Sequence, residues 1–574
     1  MSPFTRTHRK RKQREVFSPL SNREESALVH ALQASLRPIP SDPEVSEDEL
    51  EDQSANFEES EDEKSDEKSD EKSDEKSELK LKWKKKQQQI HVENYLGTPG
   101  PTNPLPSSRG VTSFFDLMFS RKVWDLIRKQ TNLYAKQQIQ RNPDPTWEEV
   151  TIGELKAWIG CLIAMGMDKK PTLQMYWDST WKLPIVADRF TRDRFLQIKK
   201  YLHLADNTAI AEQQASSPDR LAKIRPLIEA LLENFQKNYV PATHLTLDED
   251  MCKFKGRNLM KQYMRAKIVK WGYRIWKLCD ADTAYVLNFD VYTGKQKGKV
   301  EVDLASSVAQ RLTSGYQGKN HIIIMDNYFT NVPLFLNLLS SSTYACGTIR
   351  SNRKYLPESF QEKKVMTQGE HEFWQTGNLV ATIWQDKRSV YLLSTCCKAT
   401  GNDSVSRQGK ERKAQLVPCP PSVKLYTSKM GGVDRSDRMV RTYSTSRRGK
   451  KWWYRLFCYC VDTALANSYI LYSHSQNHQQ LTFFQFVEQV ALGLVGTTSK
   501  VKRVRQSSEK KKKRKRTHPL QVSGEHWPKK TTKRQRCRYC ASHRQKKSRS
   551  VYACETCGVH LCIDKCFKFY HTRS

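Results

Sequence analysis

Several aspartates stand where a sequence pattern changes, and side chains that do chemistry often occupy such positions. Asp326 directly follows the apolar run in HIIIMD, which is typical of a strand buried on both faces. Asp248 ends THLTLD, where alternating leucines indicate a half-buried strand. Asp434 and Asp437 follow a Gly-Gly pair at the start of a helical pattern, and their i, i+3 spacing places both on one helix face.

Two strand-end carboxylates and one on a helix could hold two divalent ions. Hard cations about 3.5–4 Å apart suit in-line phosphoryl transfer, because one activates the attacking oxygen and the other stabilises the leaving oxygen. Simpler interpretations stay open: Asp248 could pair with Lys253, Asp326 could open a turn, and Asp434 could cap a helix. Asp280 and Asp282 are assigned to a turn. Glu249 and Asp250, which follow Asp248, are weaker ligand candidates.

Residues 537–572 are dense in cysteine and histidine. Two C-x2-C pairs precede two further cysteines and a histidine, which suits tetrahedral zinc, and a unit this short needs metal to fold. Two zinc ions need eight ligands, and the eighth is predicted to be His543, with His560 as the alternative. The other seven are Cys537, Cys540, Cys554, Cys557, Cys562, Cys566 and His571. Even a purely structural zinc unit would favour phosphate contact through Lys546, Lys547 and Arg549.

The charge of the chain is large and uneven. The 574 residues carry a formal net charge of +35, yet residues 42–78 hold 19 Asp or Glu against four Lys. Such a basic excess outside that block favours nucleic acid as the partner over an acidic membrane surface. We find no apolar run long enough to span a bilayer and no signal peptide, so we expect an intracellular protein whose cysteines are thiols or metal ligands.

The elements that must position these side chains change in character along the chain. The predicted organisation is a disordered tail with an acidic repeat (1–110), helices (111–242), short strands around one helix (243–352), further strands and loops (353–420), helices (421–445 and 446–498), a basic linker (499–536) and the Cys/His unit (537–574). The acidic repeat is interpreted as a solvated tail, and more weakly as a DNA mimic.

Basic and aromatic residues are interleaved directly after Asp434. RTYSTSRRGKKWW suits DNA held beside an active site. Its arginine and lysine side chains would contact phosphates, and a tryptophan would stack on a nucleobase. The candidates are Arg447, Arg448, Lys450, Lys451 and Trp452, and at least one of Trp452 and Trp453 is expected in the core. Arg257 and Arg265 are further phosphate candidates, and KKKKRKR (510–516) is interpreted as a nuclear import signal or a phosphate-binding arm.

Five segments of the chain resemble the piggyBac transposase family. The matching words are LTLDEDMCKFKGR (245–257), MDNYFTNVPL (325–334), CGTIRSNRKYLP (346–357), GGVDRSDRM (431–439) and WWYRLFCYCVDTALANSYILYSH (452–474), in the family's order. The likeness spans roughly residues 111–574 and does not cover the tail.

The resemblance implies an α/β fold: an RNase H-like catalytic core (243–352 and 421–445) with a β-rich insertion (353–420), flanked on both sides by a helical dimerisation and DNA-binding region (111–242 and 446–498). Asp248, Asp326 and Asp434 match the family's triad for Mg²⁺ or Mn²⁺, and Asp437 matches an accessory acidic residue. Trp452 matches an aromatic beside the active site, and a C-terminal cross-brace zinc domain reads transposon-end DNA.

Activity and partners follow from the same resemblance. The family cuts and pastes DNA at TTAA targets through hairpin ends, so we expect a nuclear homodimer that binds double-stranded DNA and the nuclear import machinery, with no membrane partner. A domesticated relative that binds DNA without cutting, and a zinc-scaffolded interaction protein such as a RING-like ligase, are the two alternatives.

Overall fold

The computed structural model describes two units of the chain, divided at residues 498 and 499. It describes residues 80–102, 109–216, 218–265, 267–294, 303–362, 365–408, 414–447, 449, 451–475, 479–496, 526–543 and 548–572. The acidic repeat and the segment 510–516 therefore lie outside the described residues, as do Arg448, Lys450, Lys546 and Lys547.

Helices dominate the first part of the larger unit. They are α1 (Thr112–Met118), α2 (Arg121–Arg141), α3 (Ile152–Met167), α4 (Pro184–Ala187), α5 (Arg192–Tyr201), α6 (Asn207–Ser216) and α7 (Arg225–Asn238). The start of α3 is fixed by Thr151, whose hydroxyl accepts a hydrogen bond from the Glu154 amide at 3.1 Å. Because α3 is apolar on nearly every side, it lies in the interior of the helical region.

Strands follow, with helices between some of them. They are β1 (Gly100–Pro101), β2 (Tyr239–Val240), β3 (His244–Lys253), β4 (Gln262–Tyr263), β5 (Trp271–Asp280), β6 (Val286–Val291), β7 (Ile322–Met325), β8 (Tyr344–Thr348), β9 (His371–Thr376), β10 (Leu379–Gln385), β11 (Ser389–Ser394), β12 (Asp403–Gln408) and β13 (Ala414–Cys419). The intervening helices are α8 (Leu304–Thr313), between β6 and β7, and α9 (Val332–Ser340), between β7 and β8.

Among the described residues, nine of these strands form one sheet in the order β4-β5-β3-β7-β8-β11-β10-β9, with β6 also paired to β5. Strands β3, β7 and β8 run parallel, and β5 is antiparallel to β3. Strands β9 to β11 of the predicted insertion extend this same sheet, while β12 and β13 form a separate hairpin. The mixed α/β core with a β-rich insertion is thus confirmed.

Helices return after the hairpin and pack on the first helical part. They are α10 (Pro421–Lys429), α11 (Gly432–Thr442), α12 (Trp452–Ser473) and α13 (Phe483–Val495). The edge of Phe114 in α1 contacts the ring of Tyr472 in α12 at a centroid distance of 5.3 Å. A Cβ on Gly160 of α3 would lie 2.9 Å from the Ala491 carbonyl of α13, so these helices approach too closely for any larger residue. The helical region is therefore assembled from chain segments that precede and follow the core.

The prediction of disorder up to residue 110 is wrong for residues 80–102. This segment, the strap, exchanges two backbone hydrogen bonds between Lys84 and Gln375 of the sheet's edge strand β9, at 3.0 and 2.9 Å. Farther along, the Tyr95 hydroxyl donates to the Pro241 carbonyl at 2.7 Å, and β1 pairs with β2. The strap is ordered by backbone pairing to a sheet edge, which a polar, lysine-rich composition does not reveal.

The smaller unit is a compact Cys/His fold. It contains β14 (Pro528–Arg536), α14 (Arg538–His543), β15 (Arg549–Cys554) and α15 (Lys565–Thr572), and β14 pairs antiparallel with β15. Its described part begins at His526, so the predicted boundary at 537 is too late and β14 belongs to the unit, not to the linker. Of the helices described in either unit, none combines the length and the apolarity needed to cross a membrane.

The strap should detach when its central anchor is removed. Buried Gln375 donates its side-chain amide to the Gln88 carbonyl at 3.1 Å and accepts from the Gln88 amide at 3.0 Å. Loss of both bonds in Gln375→Leu leaves buried groups unpaired, at about 1–3 kcal/mol. We expect trypsin to cleave at Lys84–Lys86 roughly tenfold faster.

The measurement is limited proteolysis with mass analysis of the new N-termini. Gln368→Leu is the matched control, because Gln368 is an exposed glutamine of the same region that bonds Asp386 and not the strap. Equal cleavage rates in the two variants would mean that Gln375 does not hold the strap.

Candidate active site and metal centres

Two half-buried aspartates directly follow the stretch over which two parallel strands pair. Strands β3 and β7 pair in register, with Leu247 opposite Met325, so the next residues, Asp248 and Asp326, stand next to each other. Asp326 follows the end of β7, but the prediction that Asp248 ends a strand is wrong, because β3 continues to Lys253 in pairing with β5. The predicted closeness of these two carboxylates is a direct result of that register.

The turn after β7 fixes the direction of Asp326. Its carboxylate accepts a hydrogen bond from the Tyr328 amide at 3.1 Å, and its carbonyl accepts one from the Thr330 hydroxyl at 2.8 Å. Gly347 on β8 makes room for this turn, because a Cβ there would lie 2.5 Å from the Met325 carbonyl and would overlap the Thr330 hydroxyl. The turn at Asp326 that the sequence analysis offers as a simpler interpretation is therefore compatible with a role of its carboxylate in binding metal.

Burial disfavours the charged form of both carboxyl groups, and no described residue forms an ion pair with either. Burial raises the pKa of Asp248 to about 7, with Lys267 opposing and Asp326 adding to the increase. Burial, followed by the charge of Glu249, also raises the pKa of Asp326. In the described part of the chain, neither aspartate has an ion-pair partner within 4.0 Å.

Glu249 is not a free ligand beside this pair. It accepts from the Arg274 guanidinium at 2.6 Å and lies 3.6 Å from the Lys267 ammonium. Two desolvated carboxylates whose cationic neighbours are already engaged elsewhere form an oxygen-rich donor set, which is the kind of site that hard divalent cations prefer.

The third predicted ligand, Asp434, stands in the first turn of α11 and is exposed. This helix begins close to β3, because a Cβ on Gly432 would lie 2.7 Å from the Thr246 hydroxyl oxygen. The same hydroxyl donates to the Lys429 carbonyl at 2.9 Å. Thr246 thus anchors the α10–α11 junction two residues before Asp248 along β3. Asp434 therefore stands on a helix that packs against β3, the strand that carries Asp248; we call Asp248 and Asp326 the acidic pair.

Asp437 has a different environment from Asp434, although their i, i+3 spacing leaves them only about 60° apart around α11. Asp437 is 5% exposed, and its carboxylate lies 2.7 Å from the ammonium of Lys277, which is fully buried. Three residues advance a helix by about 300°, and this offset lets one aspartate turn inward while the other stays at the surface.

Asp437 belongs to a buried ion network of two acids and two bases. Lys277 also lies 3.4 Å from Asp250, and Arg441 binds both aspartates, 3.2 Å from Asp437. Burial acts to raise the pKa of Asp250, but Lys277 and Arg441 hold it below its usual range. Burial and the charge of Asp250 raise the pKa of Asp437. Since Asp250 and Asp437 are already paired, the network joins β3, β5 and α11.

The predicted DNA-contacting segment is partly engaged within the chain. The Arg447 guanidinium donates to the Met165 carbonyl at 2.7 Å and lies over the Tyr176 ring. Lys451 donates to the Lys200 carbonyl at 2.7 Å. These two cations therefore bind backbone oxygens of the helical region, whereas the sequence predicted that they would contact phosphate.

The tryptophans at the start of α12 divide as expected between core and surface. Trp453 is 3% exposed and packs edge-on against His203, which confirms that one of the pair is a core residue. Trp452 is half-buried, with its ring 6.4 Å from that of Tyr273.

A basic and aromatic segment between β3 and β5 had been only partly recognised from the sequence. Residues 254–271, the finger, contain the paired rings of Tyr263 and Trp271, 4.6 Å apart and 40% and 39% exposed. The predicted phosphate candidates Arg257 and Arg265 are exposed in the same segment. The positive charge of Lys267 acts to lower the pKa of both Asp248 and Asp326. Aromatic residues among bases in KGRNLMKQYMRAKIVKW were the signal that could have identified it.

In the smaller unit, eight cysteines and histidines converge in two sets of four. One contains Cys537, Cys540, Cys562 and Cys566, and the other contains His526, Cys554, Cys557 and His571, with ligand atoms within 4.8 Å of one another. Ligands at about 2.0–2.3 Å around one tetrahedral zinc are roughly 3.3–3.8 Å apart. The Cys557 sulfur lies 3.4 Å from His526 Nδ1 and 3.5 Å from His571 Nε2, so the donor set fits zinc.

The two sets alternate along the chain, which is the cross-brace arrangement. His526 and the second C-x2-C pair belong to one set, while the first pair and Cys562 with Cys566 belong to the other. His571 Nδ1 donates to the Phe567 carbonyl at 2.8 Å, which leaves Nε2 free to face the metal.

The eighth donor in the two sets is His526, in the place that the sequence analysis assigns to His543 or His560. Each set already has four donors, the number that a structural zinc takes. His560 instead contacts the Ser550 carbonyl through Nδ1 at 3.0 Å, and the side chain of His543 lies outside the described residues. The sequence misled because His526 precedes the first cysteine by 11 residues, inside the apparent basic linker.

Known proteins match both units. A family model described as Transposase IS4 matches residues 112–469, more than half of the chain. The chain belongs to this transposase family. A second family model, described as a DDE_Tnp_1-like zinc finger, matches residues 521–572, and its start before His526 agrees with the extended Cys/His unit.

The resemblance to piggyBac transposases is confirmed by individual relatives. The chain is 28% identical to human PiggyBac transposable element-derived protein 3 over 86% of its length and 81% of the relative. It is 29% identical to human PiggyBac transposable element-derived protein 2, with the same coverage. A cryo-EM structure of a piggyBac transposase synaptic complex with hairpin DNA matches with a TM-score of 0.62 and 23% identity, over 81% of this chain and 98% of that one, so the transposase fold is shared.

Substitution of His526 should remove one zinc from the protein. We expect about two zinc ions per chain for the unaltered protein, as the two donor sets indicate, and about one for His526→Ala, because three remaining donors bind zinc far more weakly. The measurement is zinc content by mass spectrometry after dialysis against a weak chelator. His543→Ala is the control and should keep both ions; a loss in His543→Ala but not in His526→Ala would restore the original assignment.

Removal of the buried cation should destabilise the larger unit strongly. Lys277→Met leaves two buried carboxylates with only Arg441 as partner, and breaking a buried pair in this way costs about 3–5 kcal/mol. Lys122→Met is the matched control, because Lys122 and Glu233 form an exposed pair that contributes little to stability. Urea unfolding followed by tryptophan fluorescence gives both values, and equal costs would contradict a structural role for the network.

Proposed function

We propose that this chain is a piggyBac-like DNA transposase that cuts and pastes DNA at TTAA target sites through hairpin ends. The observation that carries the proposal is the register of β3 and β7, which leaves two desolvated carboxylates together without a balancing cation. A family match over residues 112–469 and a shared fold with a transposase complex that contains hairpin DNA support it.

Asp248 and Asp326 would hold divalent metal together with Asp434. Magnesium, or manganese in its place, would lower the pKa of an attacking hydroxyl and neutralise charge on the transferred phosphate. The protein's own contribution is placement: Thr246 and Gly432 hold the start of α11 against β3, and Gly347 leaves room for the turn at Asp326. Arg274 keeps Glu249 from competing for the metal.

DNA binding is proposed for three surfaces that are described separately. The finger offers exposed Arg257 and Arg265 for phosphates and paired rings for an unpaired base. Partly buried Trp452 stays a candidate for base stacking. In the zinc unit, strand β14 exposes a row of basic side chains: Lys529, Lys530, Lys533, Arg534 and Arg536. Such rows suit contact with phosphates in a salt-dependent manner.

Two zinc ions, a homodimeric assembly and nuclear location complete the proposal. The zinc number rests on the two donor sets. The location rests on KKKKRKR at 510–516, which would engage the import machinery. Dimerisation rests on the resemblance of the helical region to that of the family.

The decisive test is divalent-dependent cleavage of duplexes that carry related terminal repeats beside TTAA. We expect Asp326→Asn to lose at least about 1,000-fold in cleavage rate, because metal-held charge stabilisation amounts to several kcal/mol, while DNA binding is kept. Asp125→Asn is the matched control, since Asp125 pairs with Arg121 on the surface of α2.

Two results would count against the proposal. Unchanged cleavage in Asp326→Asn would separate this aspartate from the chemistry. DNA binding without cleavage by the unaltered chain, on every TTAA-flanked duplex and with either metal, would favour a transposase-derived DNA-binding protein.

A further inference from the structure

The acidic pair belongs to a row of polar residues that crosses three strands. Strands β3 and β7 align Asp248 with Asp326, as described above. On the other side of β7, the parallel strand β8 pairs so that Gly347 lies opposite Met325, and the next residue on β8 is Thr348. Equivalent positions of paired strands face the same side of a sheet. Asp248, Asp326 and Thr348 therefore form one row, which we call the polar row.

Helix α10 crosses the same face of the sheet just before the polar row. Two residues earlier, Thr246, Ile324 and Cys346 lie opposite one another on the three strands, and they face the side of the polar row. Near the start of α10, the Cys346 thiol donates to the Ser422 carbonyl at 3.5 Å. Near its end, the Lys429 carbonyl accepts from the Thr246 hydroxyl at 2.9 Å. These two contacts hold α10 across all three strands.

Tyr426, in the middle of α10, reaches from this helix to the polar row. Its hydroxyl lies 3.5 Å from the hydroxyl of Thr348. The side chain is half-buried, and it packs against a buried apolar cluster that contains Trp384 and Val423. That packing accounts for the ring of Tyr426, whereas the hydroxyl extends to a row of polar groups beside the acidic pair.

The Tyr426 hydroxyl has a proton to donate. In its contact with Thr348 it is the acceptor, and it has no other hydrogen-bond partner in the described part of the chain. Burial raises the pKa of Tyr426 to about 12, with Asp326 and Asp248 adding to the increase and Thr348 opposing it. A neutral phenol donates one hydrogen bond, and this one is available to a molecule that enters beside the polar row.

We propose that Tyr426 is a catalytic residue of the DNA cleavage, whose hydroxyl donates a hydrogen bond to a non-bridging oxygen of the phosphate attacked at the acidic pair. This inference rests on the proposed function. When water attacks, its oxygen bonds to phosphorus, the bond to the leaving 3′ oxygen breaks, and that oxygen gains the proton that the water loses. Tyr426 transfers no proton; its hydrogen bond stabilises the negative charge of the phosphate.

A neutral donor suits this position for a physical reason. A lysine or arginine at the polar row would pair with Asp248 and Asp326 and would compete with a divalent metal for them. A phenol stabilises phosphate charge without neutralising these carboxylates. The contact with Thr348 and the packing of the ring hold the hydroxyl in place before DNA binds, so little order remains to be gained in the complex.

The first test measures cleavage by the full zinc-loaded chain on duplexes that carry related terminal repeats beside TTAA. Tyr426→Phe keeps the ring and removes only the hydroxyl. We expect cleavage at saturating DNA to slow by about ten- to a hundredfold, the effect of losing a hydrogen bond to a charged group. Tyr344→Phe is the matched control and should cleave at the unaltered rate. Tyr344 stands at the start of β8, and its hydroxyl accepts from the Glu93 amide of the strap.

A phosphorothioate at the cleaved position separates a direct contact from an indirect one. Sulfur accepts hydrogen bonds weakly, so replacing one non-bridging oxygen weakens only a contact to that oxygen. With manganese as the metal, we expect the effect of Tyr426→Phe to fall below about threefold on one of the two diastereomers and to persist on the other. A tyrosine that acts only through packing would give the same ratio of rates on all three substrates.

A second measurement needs no cleavage. Calcium takes oxygen ligands, and DNA affinity is measured by fluorescence anisotropy in calcium and in EDTA. We expect calcium to tighten DNA binding by the unaltered chain and by Tyr344→Phe. Tyr426→Phe should lose at least about threefold in affinity in calcium and nothing in EDTA, because its missing hydrogen bond goes to a phosphate held at the acidic pair.

The outcomes separate this proposal from the proposed function. Absence of cleavage by the unaltered chain would contradict the transposase, and the calcium comparison would still decide on Tyr426. The role of Tyr426 is overturned if Tyr426→Phe and the unaltered chain bind DNA equally in calcium, or if calcium leaves the affinity of the unaltered chain unchanged. An equal ratio of cleavage rates on the phosphate and on both phosphorothioates would also overturn it.

Discussion

The closeness of two half-buried carboxyl groups is the constraint around which the centre of the larger unit is arranged. Asp248 and Asp326 are brought together by the register of two parallel strands, and desolvation acts against the charge of each. A fold keeps such a pair only if the surrounding structure stabilises it or a ligand compensates it. Two close contacts shape the surroundings here: Gly347 allows the turn at Asp326, and Thr246 contacts the start of α11 two residues before Asp248.

The neighbouring ion network shows how the same residue type serves structure when its charge is balanced. Asp250 and Asp437 are more deeply buried than Asp248 and Asp326, yet they pair with Lys277 and Arg441. Asp248 and Asp250 stand two residues apart on β3 and so share one face of the strand, yet Asp250 has cationic partners and Asp248 has no ion-pair partner among the described residues. We infer that the network holds α11 against the sheet, so Asp437 acts on Asp434 through the position of the helix.

The zinc unit meets a different constraint, because its core is small. Its buried apolar cluster contains three of the ligand cysteines themselves together with Tyr539 and Leu561. Metal coordination therefore supplies cohesion that a unit of this size lacks. The alternating use of ligands ties β14, β15 and α15 together, and β14 is left free to present its basic side chains to solvent.

The sequence by itself determined the features that are local along the chain: the helices and strands near the motifs, the position of Asp326 at the end of a strand, and seven of the eight members of the two donor sets. Only the tertiary structure decided which charges are balanced. Asp434 and Asp437 look equivalent in GGVDRSD, but the position of Lys277, 160 residues away, separates them. Likewise, the strap and His526 have polar surroundings in the sequence, and their order comes from partners in distant segments. Periodicity reports which face a residue occupies, whereas pairing depends on what the fold brings opposite that face.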